Sequence, residues 1–425
     1  MSVKLLGALK ESISAAIYGI GNDLDSFNIA FGLASFLIFV VGAGFQIALI
    51  PVYFETRKVE GLLASRKLLG SVFTLSMIFL LVSIGILVFI LPYLLPLIMA
   101  GSTNEKVLTT YTITITFLPL ILLGGLSLMI AGILNAEEAF KATSLAPGLT
   151  SLSVILTLFL LGKNIGIFAL VIGVVTGSLA EFIFLLITLK RKKIKLNFSW
   201  NWRSERLTQV VKNALPIIGA SALSGLMPVI DQGFAVRLRA GDVAALGFGY
   251  RMISLFLSLF ATAVSATVLP YYAQLASEKS WVELKQIFWD NIIKFILPIT
   301  LLTSIAIILY SEPLIRLLFE RGKFTGTDTK EVSAIQSMYA LQLPAYVIHL
   351  VGIRLLSAIQ SSHYMIGISI FSLLANIICN YYFSKMLGVK GIALSTSVVF
   401  TATMILTLFI VKFEINKRQI SSFVI

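Results

Sequence analysis

At 425 residues, 58% of them hydrophobic and only 12% charged, with a mean hydropathy of +0.96, the chain has too little polar surface to cover a soluble globule. It reads as an all-α integral membrane protein, because its apolar segments are long and mostly uncharged and lack the alternation of outer-membrane strands. The formal charge of +13 does not imply a nucleic-acid partner, since the cations cluster in short segments between alternate spans.

Twelve spans follow in order: 3–20, 26–53, 67–99, 107–134, 141–161, 165–190, 209–238, 242–274, 287–310, 331–360, 362–384 and 389–413. The first carries Lys10 and Glu11 where a cleavable signal peptide would be apolar, so no such peptide is read. The two are adjacent, hence about 100° apart on a helix, and are expected to face different neighbours. Arg57, Lys58, Arg66 and Lys67 follow span two; eight more cations from Lys190 to Lys212 follow span six; Lys412, Lys417 and Arg418 follow span twelve. Those fifteen of 33 basic residues fall on one side of a twelve-span arrangement, which puts both termini in the cytoplasm. Asn22, Asp23 and Asp25 in the first opposite loop agree, whereas Arg237, Arg239, Arg321 and Lys323 run against the bias. Between Lys190 and Lys212, Trp200 and Trp202 suit either an amphipathic linker on anionic membrane lipids or a solvated loop.

Ionisable residues inside spans come next, because each costs about 2.5–3.5 kcal/mol at mid-membrane unless a partner or water compensates it. Besides Lys10 and Glu11 these are Glu181 in span six, Asp231 in span seven, Arg251 in span eight and Arg354 in span ten. Arg251, about nine residues into its span, is too deep to snorkel and is expected to face a cavity, whereas Arg354 can snorkel. Asp231 follows Pro228 by three residues, where a kink frees backbone carbonyls; a cation site and a salt bridge both remain open. Glu181 either gates or binds an ion, or pairs with a neighbouring helix. His349 is expected to be a satisfied helix–helix contact. With two histidines and one cysteine, Cys379, there is no disulfide framework and no metal-ligand cluster. Walker loop and nucleophile elbow are absent too, so the chain is read as no enzyme and without a cofactor. The membrane potential, Na+ or H+ remain as driving forces.

The chain is also written twice. Leu118-Pro119 is followed 47 residues later by Gly166-Ile-Phe-Ala-Leu170, and Leu343-Pro344 is followed 47 residues later by Gly391-Ile-Ala-Leu394. Leu49-Ile50-Pro51 matches Val268-Leu269-Pro270, and the paired prolines mark either hinges or tolerated kinks. Two like-oriented copies of six spans predict parallel lobes, 1–190 and 209–413, related by an axis along the membrane normal, around a central cavity. A basic linker at 191–208 joins them, and 414–425 is a cytoplasmic tail.

Asp25-Ser-Phe-Asn-Ile-Ala-Phe31, Val229-Ile-Asp-Gln-Gly-Phe-Ala235, Gly249-Tyr-Arg251, Ala266-Thr-Val-Leu-Pro270 and, most specifically, Pro313-Leu-Ile-Arg-Leu-Leu-Phe-Glu-Arg-Gly-Lys-Phe-Thr325 resemble the MurJ/MviN lipid II flippases of the multidrug/oligosaccharidyl-lipid/polysaccharide exporter superfamily. The resemblance runs from about residue 6 to residue 413. It implies two six-helix lobes that open alternately to each side and move an undecaprenyl-pyrophosphate-linked saccharide outward, with cavity cations on the pyrophosphate. By the same resemblance Lys10, Glu11, Asp25 and Arg251 are substrate contacts, and Asp231 is an ion or gating residue. The chain departs from the family at Ile38 and Phe39, where the family has adjacent arginines, at Ala16 and Gln232, where it has cations, and in having twelve spans against fourteen.

The reading is therefore a flippase for a lipid-linked saccharide. Its rivals are a cation-coupled exporter of small amphiphiles, which needs an acidic or aromatic cavity instead of a cationic one, and a scaffold that partners envelope-synthesis enzymes.

Overall fold

A computed structural model describes residues 2–194 and 204–423, so Trp200, Trp202 and most of the expected linker lie outside the described residues. All regular structure among those residues is helical. α1 spans Ser2–Tyr18, and α2 (Asn22–Leu37) passes through a π-helical turn at Ile38–Ala43 into α3 (Gly44–Val59). Then come α4 (Leu62–Ile98), α5 (Asn104–Thr116), α6 (Leu118–Ala136), α7 (Phe140–Ile165), α8 (Phe168–Arg191) and α9 (Glu205–Ala235). α10 is Asp242–Ser277, and α11 (Trp281–Asp290) runs through a second π turn, Asn291–Ile296, into α12 (Leu297–Leu309). The rest are α13 (Ser311–Phe319), α14 (Gly326–Ala340), α15 (Gln342–Ala358), α16 (Tyr364–Leu387) and α17 (Val389–Phe423). Eleven helical runs among the described residues are long and apolar enough to cross a membrane, and the 17-residue, charge-bearing α1 completes the twelve expected segments.

The paired prolines behave in two ways. Pro119 and Pro344 sit at true breaks, α5/α6 and α14/α15, in the corresponding span of each half. A proline near a helix start withholds only a donor that the helix would leave unused, so both second segments restart there. Pro51 and Pro270 lie inside the uninterrupted α3 and α10.

One register of the repeat shifts. α7 and α16 each end on a glycine in the left-handed region, Gly166 (φ +56°) and Gly388 (φ +63°), and Ala169 N–H and Gly391 N–H each donate to that glycine's carbonyl. Gly166 therefore corresponds to Gly388, three residues before the Gly391 that the sequence pairs with it. The Gly-Ile dipeptide misleads because the positive φ, not the neighbouring isoleucine, fixes the glycine.

The chain forms two compact units, residues 1–241 with 321–325, and 242–320 with 326–425. The division falls after α9 and not in the 191–208 segment, because α9 packs on α2 and α3. The expected tail is also different: α17 continues to Phe423, with Glu414 buried and accepting hydrogen bonds from Ser361 Oγ (3.2 Å) and Tyr364 OH (2.9 Å).

Within the first unit the ends of α3, α6 and α8 and the start of α9 share one end. Glu137, which caps α6, accepts from Tyr53 OH (2.7 Å) and Arg57 Nη1 (2.6 Å), while its carbonyl accepts from Lys192 Nζ (3.3 Å). Arg206 of α9 binds Glu55 and Glu60, each at 2.6 Å. The 321–325 stretch of the specific motif docks on α1, where Lys323 N–H donates to Ala16 O (2.8 Å) and Arg321 Nη1 to Ser12 Oγ (2.9 Å). Gly322 (φ +60°) is required there, since any Cβ would collide with the Ala16 carbonyl.

In the second unit the core joins α10, α11, α12, α15, α16 and α17 around Tyr272, Phe288, Val351 and Val411. His349 Nδ1 bonds Thr407 Oγ1 at 2.8 Å, the expected helix–helix contact.

Candidate functional site

The first unit carries a half-open cavity of about 740 Å3 between the α2–π turn–α3 run and α6, α7 and α8. Glycines set the approach of its walls. A Cβ on Gly42 would press on the backbone of Gly125, and one on Gly177 would press on the backbone of Thr150, so only hydrogen there lets these helices touch.

Its surface is mostly apolar, with the rings of Phe31, Phe39 and Phe140, and its polar groups are serines, threonines and amides with Glu181 as the one ionisable side chain. Thr143 Oγ1 donates to Asn135 Oδ1 at 2.6 Å, and Thr150 Oγ1 donates to Glu181 Oε2 at 2.9 Å. Ile38 and Phe39, apolar where the resemblance implies arginines, line this cavity. Such a wall offers stacking and dispersion but no bond to phosphate.

The other expected residues are dispersed. Asp25 is fully buried in the first turn of α2; it accepts from Lys106 Nζ and from Gly241 N–H, both at 2.7 Å. That ties α2, α5 and the turn after α9 together, and Asp25 is not on the cavity wall. Lys10 Nζ lies 2.8 Å from Glu11 Oε1, contrary to the expectation that they face apart: their long flexible stems close a gap that the helix geometry opens. Asp231 is buried in α9, and the adjacent Gln232 side chain lies where a Cβ on Gly32 of α2 would sit. In the second unit the Arg251 guanidinium stands 6.0 Å from the Phe248 ring centroid, a cation–π distance.

Two buried polar features escaped the sequence reading. Lys106 is one, a lysine immediately before the fourth expected span, buried and paired with Asp25. The other is a stripe on α16, Ser372, Asn376, Asn380 and Ser384, buried at every fourth residue. Asn380 Nδ2 donates to Asn376 Oδ1 (3.2 Å) and Thr403 Oγ1 to Ser372 Oγ (3.3 Å). Four polar residues at i, i+4, i+8 and i+12 inside an apolar span were the available signal. No group of three or more potential metal ligands exists among the described residues.

Eleven long apolar helical runs among the described residues define a multi-pass membrane protein. The fold is shared with a solved multidrug resistance MATE family transporter of the MOP superfamily in an inward-facing conformation (TM-score 0.80, 16% identity, 99% of this chain and 97% of that one). A solved "Lipid II flippase MurJ, inward closed conformation" superposes with a TM-score of 0.81 at 25% identity, over 100% of this chain and 89% of that chain. The family "Lipid II flippase MurJ" matches residues 14–422. The chain is 26% identical over 401 residues to a "Probable lipid II flippase MurJ" of Rickettsia prowazekii, covering 93% of this chain and 78% of that protein. It is 24% identical over 412 residues to the "Lipid II flippase MurJ" of Burkholderia cenocepacia, again 93% and 78%. The chain belongs to the lipid II flippase MurJ family.

Proposed function

We propose that this protein flips lipid II, a polyprenyl-pyrophosphate-linked saccharide, outward across the bacterial inner membrane by alternating access between two six-helix lobes, without catalysing a reaction. The observation that carries this is the family match over residues 14–422 together with a superposition spanning the whole chain. The basic ends of α3 and α8 and the start of α9 sit together, which supports a cytoplasmic location for that end and for both termini. Arg251 is the anion contact: its planar fork matches phosphate oxygens, and Ile38 and Phe39 leave few other cations for that work. Lys10, bound to Glu11, is a weaker contact, because its charge is already compensated. Asp25 serves by holding α2 and α5 together, and Asp231 acts in ion binding or gating.

The test is replacement of the resident flippase in a depletion strain, with externally accessible lipid II as the readout. The wild-type chain should restore accessible lipid II, Arg251→Ala should abolish it at unchanged membrane abundance, and Arg251→Lys should restore part. Failure of the wild-type chain to restore it sinks the lipid II reading, and full activity of Arg251→Ala sinks the anion role. Cysteines at Ser204 and Asn104 test topology: labelling of the former from outside intact cells overturns it.

A further inference from the structure

We propose that the first unit's cavity binds a lipophilic organic cation, with Glu181 as the counter-charge. A volume of about 740 Å3 lies in the range of small-molecule sites, roughly 300–1,000 Å3. Of the residues lining it, Glu181 alone is ionisable. It stands midway along α8, and among the described residues Thr150 is its one hydrogen-bond partner and it has no ion-pair partner.

The cations on the helices around it are out of reach. Lys141 lies nine residues from Thr150 on α7, and Lys190 nine residues from Glu181 on α8, each about 13 Å along its helix at 1.5 Å per residue. Lys163 and Arg191 are further away along the same helices. On α1, which packs on α7, Lys10 is held by Glu11. Glu137, at the end of α6, is engaged with Arg57. Among the described residues no cation pairs with this carboxylate, so its charge is left to a proton, water or a ligand in the adjoining cavity.

The walls select the kind of cation. A hard metal ion takes six or more oxygens at about 2.0–2.6 Å, whereas Thr150 is the single side-chain oxygen bonded to this carboxylate. Phe31, Phe39 and Phe140 offer ring faces that attract a bulky, weakly hydrated cation. Phe31 is backed by Phe27 and Phe117, with ring centroids 5.8 and 6.0 Å away, which fixes its plane. An anion is repelled by Glu181, so this site is separate from the pyrophosphate contacts proposed above and does not rest on them.

Two ions of one shape and opposite charge test it. Binding of tetraphenylphosphonium and of tetraphenylborate to the purified full chain in nanodiscs is measured by equilibrium dialysis, with empty nanodiscs subtracted. The phosphonium should bind saturably, and the borate should not. Glu181→Gln should weaken phosphonium binding at least ~10-fold, Glu181→Asp should retain most of it, and Phe39→Ala should weaken it ~2–5-fold, the worth of one exposed cation–π contact. Should Glu181→Gln not run as a monodisperse peak, Phe39→Ala and the phosphonium–borate contrast decide the matter. Equal binding of both ions by the wild type, or an unchanged phosphonium isotherm in Glu181→Gln or Phe39→Ala, overturns the proposal.

Discussion

Asp25 and Glu181 are carboxylates in the same compact unit, one fully buried and the other half-buried beside a cavity, and the protein treats them in opposite ways. Asp25 is fully buried and receives a lysine and a backbone N–H, each at 2.7 Å. Glu181 receives one threonine hydroxyl and borders a cavity. Complete compensation is what a structural tie requires, because an orphaned charge in a dry interior costs several kcal/mol. Incomplete compensation beside open space is the pattern of a group that meets something from outside. In the sequence Asp25 belongs to the acidic loop before the second span and Glu181 stands inside the sixth, and neither position tells a structural tie from a site. The distinction lives in their partners.

The largest effect should come from breaking the compensated site. Lys106→Met takes the ammonium away from the buried Asp25 carboxylate, and removal of one partner from a buried pair costs about 3–5 kcal/mol. Loss of monodisperse protein and a large drop in thermal midpoint are expected. A midpoint within a degree or two of wild type would show that Asp25 has the freedom assigned here to Glu181.

Next in size is Gly322→Ala. The left-handed backbone and the collision with the Ala16 carbonyl act together, and a strained backbone of this kind costs about 1–3 kcal/mol. This change touches the same end of the unit as Asp25 without altering charge, so it separates loss of docking from loss of compensation. A thermal midpoint between those of wild type and Lys106→Met is the expected result; one equal to wild type would detach the 321–325 segment from the stability of α1.

How much of this was legible follows from how local each signal is. The spans were readable because hydrocarbon demands long apolar helices, and the breaks at Pro119 and Pro344 because a missing N–H acts within one turn. His349 was readable because a buried imidazole needs a partner. The Asp25 pair was not, because Lys106 is 81 residues away in sequence and no periodicity encodes such a distance. The shifted repeat register failed for a different reason: dihedral angles, not residue names, align Gly166 with Gly388. The Lys10–Glu11 contact was missed because helix geometry places Cβ atoms, while four methylenes place the ammonium.

That contact supplies a smaller prediction. The Lys10 and Glu11 side chains retain 24% and 13% of their exposure, so water shares in solvating them and the pair is worth about 1 kcal/mol or less. Lys10→Met should lower the thermal midpoint slightly, far less than Lys106→Met does. An equal drop would mean that the pair is as dry as the Asp25 site.

The smallest shift in stability should come from Glu181→Gln, and its sign is informative. Glutamine keeps the length of the side chain, and its amide oxygen accepts the Thr150 hydroxyl that Glu181 Oε2 now accepts at 2.9 Å, so the hydrogen bond survives. What disappears is a half-buried charge with no ion-pair partner among the described residues. The midpoint should therefore stay within about 1 kcal/mol of wild type or rise, the range ordinary for a substitution that opens no hole. Addition of tetraphenylphosphonium should raise the wild-type midpoint and leave that of Glu181→Gln nearly unmoved, because a ligand stabilises only the protein it binds. A large fall in the midpoint of Glu181→Gln would place Glu181 with Asp25 as a structural tie, and the contrast between the two carboxylates would be lost.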